Sequence, residues 1–206
     1  MSTSIERASF FIISGPSGAG KSTIANILSL LFDFKASVSD TTRELRGKEI
    51  QGEDYNSISG VEFENNAIAG KYAEHAEYGG NRYGTPLSQI EEACKKGRSL
   101  VLDIDVQGRE RILRHEFFCG ERNLRADTRS IFIMPPEPHL KVLEDRLRKR
   151  ADLNEGQIQA RLARAPIEMD QADFYDERIV NDNFQEAKAK LNKTVNDHLN
   201  RRLRSS

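Results

Sequence analysis

Gly15-Pro16-Ser17-Gly18-Ala19-Gly20-Lys21-Ser22 sets glycines, a lysine and a hydroxyl in the order Gly-x4-Gly-Lys-Ser. Each residue type has a task in that order if the ligand is a polyphosphate. The glycines allow a tight turn in which successive backbone N–H groups aim at one centre. A helix starting where the turn ends adds unpaired N–H groups and positive potential. Lys21 then brings a full charge to the β- and γ-phosphates, and the Ser22 hydroxyl is placed to ligate Mg²⁺. The flanks satisfy the motif. Phe10-Phe11-Ile12-Ile13 is an apolar run of strand length, and Thr23-Ile24-Ala25-Asn26-Ile27-Leu28 has helical apolar spacing. Strand, glycine turn and helix together make a P-loop, which binds a nucleoside triphosphate.

Other charged groups could share that chemistry. Arg43 and Arg46 are forked, permanently charged donors suited to a phosphate. Asp103 and Asp105 are two apart at the end of Leu100-Val101-Leu102-Asp103-Ile104-Asp105, read as a strand, and so share a face. Asp103 stands where a P-loop enzyme carries an acid that organises the Mg²⁺ water shell, and a turn or helix cap is the competing account. Arg146 and Arg150, four apart, are expected on one helix face. The four histidines are scattered and expected to be structural or exposed.

The elements that must position these groups follow from pattern. The chain has 206 residues, enough for one α/β domain with insertions, and a formal charge of −1. That balance argues against a general nucleic-acid binder. Two cysteines without metal spacing, a short polar start at Met1–Arg7 and no apolar run of membrane length lead us to expect a soluble cytoplasmic protein. After the first βα unit, glycines punctuate short segments up to Tyr83, which predicts a sheet-rich insertion. It would contain a short helix over 61–68 and a hairpin tip at Gly79-Gly80-Asn81. Thr85-Pro86 reads as an N-cap with proline at N1, opening a helix that stops at Gly97. Ser130-Ile131-Phe132-Ile133-Met134 is another buried strand. Pro138 to Arg150 is predicted as a helix with Leu140, Leu143 and Leu147 on its apolar side. A second helix from Glu155 should be kinked or split by Pro166. Ile179-Val180-Asn181 is a last strand, and 184–204 a charged helix.

Beyond the P-loop, the sequence resembles the guanylate kinase family. The matching stretches are Ser37-Val38-Ser39-Asp40-Thr41-Thr42-Arg43 with Arg46, Gly52-Glu53-Asp54-Tyr55, Gly80-Asn81-Arg82-Tyr83-Gly84-Thr85 and Leu102-Asp103-Ile104-Asp105-Val106-Gln107-Gly108. Ser130–Ile133, Pro135-Pro136 and Ile179–Asp182 complete them. The resemblance implies a three-layer P-loop α/β fold with a central parallel sheet. Residues 1–36, 91–136 and 169–206 would form the core, 37–90 a small mixed GMP-binding insertion, and 137–168 a helical lid.

The resemblance also implies roles. Glu74 would accept the N1–H and N2 amino donors of guanine as a bidentate pair, which adenine cannot offer. Ser39 would donate to O6, with Thr85 and Asp105 completing the base pocket and Asp103 counted in the same acceptor-binding set. Arg43, Arg46, Tyr55 and Tyr83 would hold the GMP phosphate. Arg146, Arg150 and Arg161 would close over the ATP triphosphate, with Arg148 and Arg164 as neighbours able to share that part. The implied reaction is Mg²⁺-dependent and reversible, from ATP and GMP (or dGMP) to ADP and GDP, with no nucleic-acid or membrane partner. Leu45, Gly47, His75, the Lys149-Arg150-Ala151 turn and Pro166 depart from the family pattern. Two other readings compete. One is an interaction module of the same fold, against which the intact P-loop weighs. The other is a kinase for a different phosphorylated acceptor, which would not need Glu74 and Ser39 around a base.

Overall fold

The computed structural model describes residues 8–120, 123–150 and 152–205, so the expectation for Met1–Arg7 lies outside it, as does Ala151 of the lid turn. A strand that is apolar at every position must be covered on both faces. β1 (Phe10–Ser14) is buried throughout and lies at the centre of a five-stranded parallel sheet. On one side it pairs with β7 (Leu100–Asp103), which pairs with β2 (Lys35–Ala36). On the other it pairs with β8 (Thr128–Met134), which pairs with β9 (Glu177–Val180).

Alternation along β1 builds two cores. Phe10 and Ile12 pack with Leu100 and Leu102 against Ile90 of α3 (Leu87–Lys96) and Ile112 of α4 (Val106–Arg114). Phe11 and Ile13 face the other way. They meet Ile24 and Leu28 of α1 (Lys21–Phe32), Leu143 of α6 (His139–Arg148), Ala165 of α7 (Glu155–Met169) and Leu191 of α8 (Phe184–Ser205). Full burial of such a side chain contributes about 1.5–3 kcal/mol, so this three-layer stack is a stiff base for the loops at its edge. No helix among the described residues is long and apolar enough to cross a membrane.

A second, mixed sheet stands beside it in the order β4 (Tyr55–Ser57), β3 (Ser39–Thr41), β6 (Asn81–Pro86), β5 (Tyr72–Tyr78), with α2 (Gly60–Ile68) packed on β5. Gly79 and Gly80 join β5 to β6 with φ of 60° and 76°, the left-handed pair that a two-residue hairpin turn requires. The buried Asp40 carboxylate accepts from the Tyr72 hydroxyl at 2.8 Å and the Asn56 amide at 3.0 Å, tying β3 to β4 beside it and to β5 beyond β6.

Several sequence expectations need correction. β7 ends at Asp103, and Asp105 is instead the N-cap of α4, accepting from the Gly108 N–H at 2.7 Å. The helix after it escaped the pattern because its buried side, Gly108, Ile112 and Leu113, carries only two large apolar residues. Thr85 does not cap α3. Pro86 holds that position, and the Thr85 hydroxyl is committed to Glu74. Leu140 is 46% exposed, leaving Leu143 and Leu147 as the buried side of α6. α7 runs through Pro166 to Met169 unsplit: the proline lies near the helix end, where Ala165 and Glu168 are buried and hold the last turn in place. Arg150 lies beyond the end of α6, so it and Arg146 do not share a helix face.

Candidate active site

β1 delivers the P-loop to the edge of the sheet. Gly15 has φ 147°, and a Cβ there would run into the backbone carbonyl of Ile133 on β8. Gly20 caps α1 in the left-handed region at φ 97° without a side-chain hydrogen bond, and a Cβ on it would strike the Asn181 amide. Without a capping side chain, the first N–H groups of α1 stay open to an anion. Lys21 Nζ donates to the carbonyls of Gly15 at 2.8 Å and Pro16 at 3.4 Å, which folds the charge over the loop. The Ser22 hydroxyl donates to Asp103 Oδ2 at 2.8 Å. These are oxygen ligands, the type Mg²⁺ takes while keeping most of its shell in water and phosphate oxygens.

The loop is braced from behind. Arg146 donates to Gly18 O and Ala19 O at 3.4 Å and to Asn181 O at 2.7 Å, and the Asn181 amide donates to Ala19 O at 2.8 Å. Arg146 is therefore used on loop carbonyls rather than lining the cleft with Arg150 and Arg161. A P-loop that turns its N–H groups forward leaves carbonyls pointing backward, and buried carbonyls need donors.

Across the cleft stands the second sheet. Glu74 on β5 is 7% exposed and in register with Thr85 on β6, whose hydroxyl donates to Glu74 Oε1 at 2.7 Å. Thr85 lies fully buried behind the carboxylate. Glu74 Oε2 faces α4, where a Cβ on Gly108 would come within 2.9 Å of it, so Gly108 leaves room for the carboxylate. Burial pushes the Glu74 pKa up to about 7. The Asp105 charge adds to this, while the Thr85 hydrogen bond and Arg111 oppose it. Ser39, also buried, lines the same pocket. His75 is exposed because the strand alternation turns it away from the pocket.

Arg43 and Arg46 are pre-arranged by acidic residues that the sequence reading did not single out. Arg43 Nη2 donates to both Glu49 oxygens at 3.0 and 2.8 Å, and its guanidinium lies 5.4 Å from the Tyr55 ring centroid. The Arg46 N–H donates to Glu49 at 2.8 Å, and its Nε pairs with Asp152 at 2.5 Å. Tyr55 and Tyr83 meet edge to face at 6.0 Å. Burial raises the Tyr55 phenol pKa, with the Asp103 charge adding, so it remains a neutral hydrogen-bond donor.

From the helical segment, Arg161 on α7 donates to the Ser17 hydroxyl at 2.7 Å, and Arg150 Nε lies 3.6 Å from Asp152. Arg148 is bound outside the cleft by Glu144 and Glu155. Gly15, Ser17, Lys21, Ser22, Ser39, Arg43, Arg46, Tyr55, Glu74, Tyr83, Asp103, Asp105, Arg150 and Arg161 thus converge on a single cleft. Pro16, Gly18, Ala19 and Gly20 shape the turn. Tyr78 and Glu168 line the cleft too and were missed. Glu168 is 4% exposed, and burial raises its pKa against the charges of Lys21, Arg164 and Arg161. Its spacing from Arg161 and Ala165, seven and three residues along one helix, was the available signal.

The chain is similar to known proteins along nearly its whole length. A family model described as guanylate kinase matches residues 7–198. A guanylate kinase from Maricaulis maris is 40% identical over 199 residues, covering 96% of this chain and 87% of the relative. One from Rubrobacter xylanophilus is 37% identical over 188 residues, covering 91% and 93%. The crystal structure of guanylate kinase from Anaplasma phagocytophilum superposes with a TM-score of 0.70 at 30% identity, over 94% of this chain and 87% of that one. A P-loop facing a buried carboxylate across an arginine-lined cleft, carried on this fold and matched along nearly the whole chain, makes it a member of the guanylate kinase family.

Proposed function

We propose that this cleft performs ATP-to-GMP phosphoryl transfer through two facing half-sites, giving ADP and GDP in cytoplasmic purine nucleotide metabolism. Residues 1–36, 91–136 and 169–206 serve as the core, 37–90 as the GMP-binding insertion and 137–168 as the lid. The P-loop backbone and Lys21 hold the triphosphate, with Arg150 and Arg161 reaching it from the lid side. Glu74 takes the paired donors of guanine, Ser39 its O6, and Arg43, Arg46, Tyr55 and Tyr83 the phosphate of GMP or dGMP. The single observation that carries this reading is the buried Glu74–Thr85 pair facing the P-loop across the cleft.

The GMP phosphate has a second pKa of about 6 and so carries close to two charges at neutral pH. Its attacking oxygen is already ionised, and no side chain must remove a proton. Catalysis then rests on alignment, charge stabilisation and exclusion of water, which suits a cleft rich in lysine and arginine. Ser22 and Asp103 would hold Mg²⁺ and its water shell, and the ion would offset charge on the transferring phosphoryl group.

The test is turnover with Mg²⁺ and ATP against GMP, AMP, CMP and UMP. A site built on buried polar pairing should favour GMP over AMP by at least about 10²-fold in kcat/KM. Equal use of AMP would remove Glu74 from base recognition.

A further inference from the structure

Arg161 must reach the triphosphate from a helix that also has somewhere else to rest, and the structure shows where that is. Tyr78 is the last residue of β5, paired with Asn81 across the hairpin turn. Its ring carries two guanidinium groups from α7: Arg164 lies 4.4 Å and Arg161 5.4 Å from the centroid. The two arginines are three apart and so project from one side of the helix. Arg164 is steadied from below by the buried Glu168, 3.9 Å away, and Arg161 reaches on to the Ser17 hydroxyl of the P-loop. The Arg161 guanidinium also lies over the turn itself, where a Cβ on Gly79 would approach it to 3.9 Å. Tyr78 therefore stands where the insertion, the lid helix and the P-loop meet.

Its place on β5 matters as much. Glu74, Ala76 and Tyr78 alternate onto one strand face, and all three line the cleft. Base recognition and lid contact thus sit on the same strand, about 13 Å apart at the usual rise of a strand residue. A rigid element joining two sites is a physical means of coupling them, provided both ligands favour the same arrangement.

We propose that Tyr78 is a positioning residue for Arg161, its ring docking the lid helix so that a guanine nucleotide held by Glu74 favours the lid placement in which Arg161 meets the donor triphosphate. This rests on the acceptor and donor assignments above. The contact belongs to the aromatic face, since both guanidinium groups lie over the ring, whose quadrupole attracts cations.

Tyr78→Phe keeps the face and Tyr78→Leu removes it at similar bulk, which separates the two possibilities. Steady-state kinetics would be combined with titration of a non-hydrolysable ATP analogue, with and without GMP. In the unaltered protein GMP should tighten analogue binding about fivefold or more. Tyr78→Leu should lower kcat about tenfold and reduce that coupling to near unity, leaving GMP binding alone within twofold. Tyr78→Phe should restore both. If Tyr78→Leu is unfolded by thermal melting, Tyr78→Met, which also removes the aromatic face while keeping an apolar side chain, takes its place. Wild-type kcat and intact coupling in the leucine variant overturn the proposal, as does a phenylalanine variant as impaired as the leucine one. Weakened GMP binding in the leucine variant also overturns it, by making Tyr78 part of the acceptor pocket. Failure of the acceptor reading shows up separately, as loss of GMP preference in the unaltered protein.

Discussion

The two halves of the cleft are built from different materials. The side proposed for the donor is mainly backbone: glycine conformations, open N–H groups of α1 and one lysine, braced by Arg146 and Asn181 on the far side of the loop. The side proposed for the acceptor is almost wholly side chain, with Glu74 set by Thr85, and Arg43 and Arg46 set by Glu49. Backbone geometry binds any triphosphate with similar grip, because all present the same phosphates. Side-chain pairing discriminates, because a wrong base leaves buried groups unpaired. The donor half should thus control whether reaction occurs, and the acceptor half which molecule reacts.

Removing Lys21, the cation of the P-loop itself, tests this most severely. Lys21→Ala should lower kcat by about 10³-fold for every acceptor alike, the scale seen when a preorganised charge-stabilising donor is lost. Lys21 lies at the cleft and is not packed in either core, so the thermal midpoint should stay close to that of the unaltered protein. A variant that lost activity with GMP while gaining relative activity with another nucleotide would contradict the division between the halves.

Glu74→Gln is the corresponding change opposite. Glutamine presents one acceptor and one donor to two guanine donors, so kcat/KM for GMP should fall by about 10²–10³-fold with little change in the Kd for an ATP analogue. The carboxylate also makes the two halves differ in pH response. Guanine needs the ionised form, and a group with a pKa of about 7 is largely protonated at pH 6. GMP affinity should therefore weaken about tenfold from pH 8 to pH 6, beyond the small loss shown by Glu74→Gln from the phosphate's own titration. Stability runs the opposite way. The carboxyl pKa is raised from 4.5 to about 7 on folding, so between those values the folded chain holds more protons than the unfolded chain. Its contribution is most favourable below pH 4.5 and is lost as pH rises through 7, on the order of 3 kcal/mol in all. Melting curves of the unliganded protein should thus show Glu74→Gln gaining on the parent as pH rises from 5 to 8.

The same contrast explains what could be read from the sequence. The P-loop was legible because eight consecutive residues carry its geometry, and β1 because its four apolar residues leave no face for water. Glu74 and Ser39 gained roles only through resemblance, since the partners that define their pocket lie 11 and more residues away on other strands. Thr85 was read as a helix cap because local sequence showed the proline after it and not the carboxylate across the sheet. Arg146 was grouped with Arg150 by spacing and by resemblance, yet the helix stops between them and Arg146 answers the loop carbonyls. Glu49, Tyr78 and Glu168 were missed for one reason: each matters by what it touches on another element.

The smallest effect expected, and the finest test of the contrast, lies at Asp152. Its carboxylate pairs with Arg46 at 2.5 Å and lies 3.6 Å from Arg150, two guanidinium groups assigned to substrate phosphates. Where Arg46 takes the GMP phosphate as proposed, the incoming group brings nearly two charges and competes with that carboxylate, whereas Glu49 can remain as the brace. Arg46 and Asp152 are each about a quarter to a third exposed, so the pair is worth about 0.2–1 kcal/mol and is screened by salt. Asp152→Asn should therefore tighten GMP binding by up to about fivefold at low ionic strength, less at high, and leave binding of an ATP analogue by the backbone-built half unchanged. Weaker GMP binding in this variant would mean that the carboxylate presents Arg46 to the phosphate rather than competing with it.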